Sequence, residues 1–156
     1  MSLKSKTLTY IFLNGRKDRI NSKLNFPYEF FYGYNFLINF YDENNLIEFN
    51  YQNKSLLLGF FEKLLNKLSD LPFFFQYIMT FENYKIIKNS DDIVMTNQRV
   101  AFSSVLMIFL GKLRREINVH VFIMGLLNRK VNYRIKGLFR RIFIRILFST
   151  SKNLFF

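Results

Sequence analysis

The sequence predicts an α/β protein built on a doubly wound parallel sheet. Short apolar runs suited to buried strands alternate with segments of helical spacing along the whole chain. No internal repeat, low-complexity tract or linker interrupts that alternation, and 156 residues suffice for one domain with a real core.

The first strand is Thr7–Leu13, "TLTYIFL", a compact apolar run closed by Asn14-Gly15. Residues 14–25 are polar and read as a loop; Pro27 suits the first position of a helix running to about residue 42. A second strand, "NLIEFNYQ", alternates Ile47, Phe49 and Tyr51 with Glu48 and Asn50, as a half-covered strand near a sheet edge does. Ser55 caps the next helix, where Leu57, Phe61, Leu64, Leu65 and Leu68 form one stripe with Glu62, Lys63 and Lys67 off it. Asp70-Leu71-Pro72 ends it. A helical stretch over roughly 73–89 leads to Asp91-Asp92 and the strand "IVMT". "RVAFSSVLMIFLGKLRRE" is a mostly apolar helix whose basic last turn suits the negative end of its dipole. "INVHVFIMG" is a continuous apolar strand of the kind buried on both faces. "KVNYRIKGLFRRIFIRILF" is a long basic amphipathic helix, and "NLFF" opens another strand, so that the alternation stops in mid-pattern.

Composition excludes several chemistries. With no Cys there is no disulfide framework, thiol nucleophile or Cys-ligated zinc, and His120 as the single histidine disfavours a His-based triad. The 21 Phe and 9 Tyr follow the same Phe, Asn, Ile and Lys bias that an AT-rich coding sequence produces, and so carry no functional weight. The longest uncharged windows, Phe30–Tyr41, Val100–Gly111 and Ile117–Asn128, are 12 residues each. A membrane-spanning helix needs about 20, so these are core lengths. The N-terminal "MSLKSKTLTYIFLNGRK" lacks a small-residue cleavage site and reads as a first strand rather than a signal peptide.

Charge is uneven. Residues 1–109 hold 12 Lys/Arg against 10 Asp/Glu, whereas residues 110–156 hold 11 against the single acid Glu116. That asymmetry points to an anionic partner for the second half, either nucleic acid or a membrane surface.

In an open α/β sheet ligands bind beyond the carboxyl ends of the strands. Those ends are Asn14-Gly15-Arg16, Thr96-Asn97-Gln98-Arg99 and Met124-Gly125. Gly15 lets backbone approach a ligand closely, and Arg16 suits a phosphate or carboxylate; a plain tight turn explains Asn14-Gly15 equally well. Neither GxGxxG nor GxxxxGK[ST] is present, so no dinucleotide or P-loop site is expected. Asn97 or Gln98 either caps the following helix or meets a ligand, and Arg99 is either solvated or meets a ligand, the latter favoured where it shares a cleft with Arg16. Gly125 offers close approach or a tight strand exit. His120, inside its strand, reads as a core histidine rather than a catalyst.

On the last helix Val131, Ile135, Leu138, Phe139, Ile142 and Ile146 keep helical spacing and are expected to face the sheet. Lys130, Arg134, Arg141 and Arg145 project elsewhere, flanked by Lys136 and Arg140. Near an anionic bilayer each such charge contributes about 1 kcal/mol at most, enough together for reversible surface binding. Phe143 and Leu147 assist if they point outwards. A solvated basic face is the alternative.

Four stretches in order, "PYEFFYGYNFL", "LSDLPFFF", "NSDDIVMTNQRVAFS" and "VHVFIMGLL", resemble the N-terminal half of bacterial GT-B glycosyltransferases of retaining family 4. The likeness spans essentially the whole chain and rests on the order and spacing of these stretches. It implies a Rossmann-like domain that receives a glycan or lipid-linked acceptor, cytoplasmic and peripheral at the inner face of the membrane. A nucleotide sugar is then the donor substrate, held by a separate C-terminal domain with a Glu-x7-Glu motif, to which nothing here corresponds; no cofactor is implied. Gly15, Arg16, Asn97–Arg99 and Gly125 match acceptor-side positions, and Lys130–Arg145 matches a membrane-docking patch. On this resemblance "SKNLFF" is the start of a further strand cut short, and the chain alone is expected to be inactive. Two alternatives lack catalysis. One is a basic nucleic-acid-binding module, disfavoured because the aromatics sit in apolar runs and no RNP motif appears. The other is a small membrane-surface protein.

Overall fold

The computed structural model describes residues 6–22, 31–52, 55–123 and 134–155. β1 (Thr7–Phe12) is apolar along its length and buried on both faces, which fits a central strand. β2 (Glu43–Glu48), β3 (Asp92–Met95), β4 (Asn118–Phe122) and β5 (Asn153–Phe155) complete a five-stranded sheet of order β2-β1-β3-β4-β5. Every neighbouring pair is parallel. The chain is therefore a doubly wound, Rossmann-like α/β domain, as the alternating pattern predicts.

Register sorts the side chains. Leu8, Tyr10 and Phe12 share one face with Val94, while Ile11 shares the other with Ile93, Met95, Val119 and Val121. The second face carries the larger core, closed by α4 (Phe81–Asn89), α5 (Gln98–Lys112) and α6 (Arg134–Thr150), packed in succession, with α3 (Leu56–Ser69) against α6. The first face is covered by α1 (Lys17–Asn21), through Ile20, and by α2 (Tyr34–Leu37) with the 3-10 turn Ile38–Phe40 behind it. Because the connection after β1 lies on one face and the later ones on the other, the winding reverses between β1 and β3.

Several local expectations need correction. The loop after β1 contains the short helix α1. No continuous helix runs to residue 42: Tyr32 and Gly33 take left-handed φ values of 52° and 74°, so the helix starts at Tyr34, and Pro27 lies outside the described residues. The 73–89 stretch divides into a 3-10 turn, Phe75–Tyr77, and α4, which Thr80 caps by accepting from the Asn83 amide. β4 is fully buried only at Val119 and Val121; His120 and Phe122 are half-buried on the other face.

Two helices turn unexpected faces inward. Ser55 does cap α3, accepting from the Leu58 amide, but the apolar stripe is only partly inward: Leu65 packs against the core and Leu68 is half-buried, whereas Leu57, Phe61 and Leu64 are exposed and Glu62 and Ser69 are buried. On α6, Leu138 and Ile142 are exposed, while Leu147 is fully buried and Phe143 meets Phe73 edge-on at 4.7 Å. Arg140 is buried too, at 8% exposure. Phe143 and Leu147 thus serve the core.

Candidate functional site

The winding reverses between the neighbouring strands β1 and β3, and beyond the carboxyl ends of such a pair an open α/β sheet offers its crevice for ligands. β1 runs into Leu13–Arg16, where Gly15 has φ of 68°, a left-handed conformation that a side chain strains. Among the described residues, a Cβ placed on Gly15 meets nothing within 4 Å. The Glu48 carboxylate, at the end of β2, accepts from the backbone amides of Arg16 and Lys17, fixing the turn.

β3 runs into Thr96, which donates its hydroxyl to the Ile11 carbonyl at 3.1 Å and ties the two strand ends together. Asn97 caps α5, its side chain accepting from the Val100 amide at 3.0 Å. The Gln98 side-chain oxygen is buried and without a hydrogen-bond partner among the described residues. Arg99 is exposed, its guanidinium 6.0 Å from the Phe74 ring centre. Asn14, Gly15, Arg16, Asn97, Gln98 and Arg99 thus sit on adjacent strand ends at one edge of the sheet. Gly125 lies outside the described residues. Beside the crevice, a polar groove of about 560 Å³ follows the end of β2, bordered by Lys17, Glu48, Asn50, Gln52, Glu82 and Asn83.

A second recess, of about 280 Å³, lies on the sheet face shared by Leu8, Tyr10 and Val94. His120 projects into it rather than into the core. Its Nε2 is 3.3 Å from Asp92 Oδ1, and its Nδ1 is 3.0 Å from Asn153 Nδ2. Both ring nitrogens of His120 are thus within hydrogen-bonding distance of a side chain, Asp92 on one side and Asn153 on the other. Tyr41 completes the polar edge. Burial, together with the neighbouring Asp92 and Asp91 carboxylates, pushes its phenol up to about 12, so it remains a donor. Burial also raises the Tyr10 phenol, which donates to the Tyr32 carbonyl at 3.0 Å. The group is assembled from β3, β4, β5 and the 31–41 segment, so no local motif announces it.

The basic positions on α6 separate. Arg141 and Arg145 are exposed, Lys136 is half-buried, and Arg140 is buried. Arg134 opens the helix, and Lys130 lies outside the described residues. Among the described residues no helix is long and apolar enough to cross a membrane, and no cluster of three or more His, Asp or Glu is arranged to hold a metal.

The fold defines the class: a Rossmann-like α/β domain whose switch point lies between β1 and β3. Comparison with known protein families, curated proteins and solved structures finds no match.

Proposed function

We propose that the chain is the acceptor-binding half of a membrane-associated glycosyltransferase, seating a glycan or lipid-linked acceptor in the crevice between β1 and β3. The observation that carries this is the left-handed turn at Gly15, set directly beside the Asn97-capped start of α5. Backbone can approach a ligand there, and Arg16 and Arg99 suit the phosphate of a lipid-linked sugar. The adjoining amide- and carboxylate-lined groove offers partners for sugar hydroxyls. The chemistry of transfer needs a nucleotide sugar held by a donor-binding domain, so this domain supplies binding and orientation, and turnover requires that second domain as partner. A nucleic-acid partner is disfavoured, because the aromatics are mostly spent on the two cores.

The test is an NMR titration with a water-soluble, short-chain lipid-phosphate-linked sugar. Amide shifts concentrated at residues 14–16 and 97–99 are expected, and Arg99→Ala should weaken binding about ten-fold. Shifts centred on His120 and Asp92, or no binding at all, would remove the assignment. Turnover by the chain alone on a panel of sugar nucleotides and acceptors would refute its dependence on a second domain.

A further inference from the structure

Helix α3 is partly inside out. Its inward side combines Leu58 and Leu65, packed against the core, with polar contacts: Glu62 accepts from the Gln76 amide and side chain, and Asn66 both donates to the Phe73 carbonyl and accepts from the Phe73 amide. Its outward side carries Leu56, Leu57, Phe60 and Phe61 at 93, 76, 66 and 55% exposure, with Leu64 behind them. Helical spacing puts these side chains on one stripe. So much contiguous apolar surface marks an interaction site. α6 packs alongside and exposes Leu138 and Ile142.

The charges identify the occupant. Lys63, Lys67, Arg141 and Arg145 are exposed on the two helices, and the only acid that either carries, Glu62, is buried. An apolar stripe with a mainly basic margin, Asp70 at the end of α3 being the exposed acid, complements an anionic bilayer, where Phe and Leu enter the headgroup boundary and Lys and Arg meet the phosphates. A second copy of the chain fits poorly, since self-pairing of this face brings like charges together. Nucleic acid matches the charge but offers no place for five large apolar side chains.

We propose that α3 and α6 form a bilayer-docking face, with Leu57, Phe60, Phe61 and Leu64 of α3 as the inserted element. This goes beyond a basic patch on α6, and it rests on the membrane-associated reading above for its biological purpose alone. Bare vesicles carry no glycan, so failure here leaves acceptor binding intact, and failure of the crevice titration leaves docking intact.

The experiment is co-sedimentation of the full chain with phosphatidylcholine vesicles, with and without about one-third phosphatidylglycerol. Binding to the anionic vesicles and much weaker binding to the neutral ones is expected. Phe60→Ser/Phe61→Ser should reduce anionic-vesicle binding at least about ten-fold while leaving the circular-dichroism spectrum and melting temperature unimpaired. Arg141→Glu/Arg145→Glu should reduce binding while preserving the fold. Wild-type affinity in the Phe60/Phe61 variant would overturn insertion by α3. Equal indifference to both vesicle types, or a concentration-dependent dimer abolished by the same substitutions, would overturn the bilayer as occupant.

Discussion

At the scale of single residues, Glu62 is the informative exception. It is a carboxyl on the buried side of a helix whose largest apolar side chains face outward, and burial raises it above the ordinary value, although the bonds from Gln76 and the neighbouring Lys63 pull the other way. A carboxyl raised in the folded state favours folding when protonated. Its contribution is complete below the unfolded value and is lost as pH rises through the folded one. Glu62→Gln stays neutral and keeps an acceptor for Gln76. It should therefore match the wild type at pH below the ordinary carboxyl value and exceed it at pH 7, measured by urea unfolding at both ends of that range. A variant less stable at pH 7 would mean that the ionised carboxylate holds Gln76 better than the amide does. Gly15 and Asn97, by contrast, follow local backbone rules, and those are legible in sequence. Gln98 is not, because an unpartnered oxygen exists only relative to what surrounds it.

Elements were legible in kind but not in orientation. Strands announced themselves as apolar runs bounded by turn residues, and Ser55 and Asn97 marked helix starts through their capping chemistry. Helix faces were harder for a physical reason. α6 carries apolar residues almost all the way round, including Phe139, Ile142, Phe143, Ile144, Ile146 and Leu147, so more than one stripe satisfies helical spacing. Packing against Phe73 and α5 selects among them. For α3 the assumption that the apolar stripe faces the core holds at Leu65 and fails at Leu57, Phe61 and Leu64. The contrast within α6 is measurable: Leu147→Ala should cost about 2–5 kcal/mol, the range for a fully buried leucine. Leu138→Ala, on the exposed side, should stay within about 0.5 kcal/mol of the wild type. Equal losses at the two positions in thermal or urea unfolding would mean that the helix is rotated from this orientation. The His120 recess shows the same limit one level up. Asp92 and His120 are 28 positions apart and meet only because β3 and β4 pair.

For the molecule as a whole, the order β2-β1-β3-β4-β5 and the charge have to be weighed together. Alternation of elements implies a parallel sheet but leaves strand order open, and order is what puts the switch point between β1 and β3. Net charge was readable from the first count, and at +12 it sets a conflict. Like charges on a compact domain repel one another and lower its stability, yet the same field draws it to an anionic surface. Ion pairs such as Arg115–Asp91, which sits beside the bond from the Thr7 amide to Asp91, relieve the repulsion locally at the start of the sheet. Salt should therefore act with opposite signs on the two properties. Raising sodium chloride from about 0.02 to 0.3 M shortens the screening length several-fold, so the melting temperature should rise by a few degrees while vesicle binding weakens. Chloride is the salt to use, because sulfate would strengthen apolar burial as well. Arg141→Glu adds a control: it should melt higher than the wild type at low salt, with the difference closing as salt is added. A melting temperature that falls with salt would show that the pairs hold the domain together more strongly than its net charge pushes it apart.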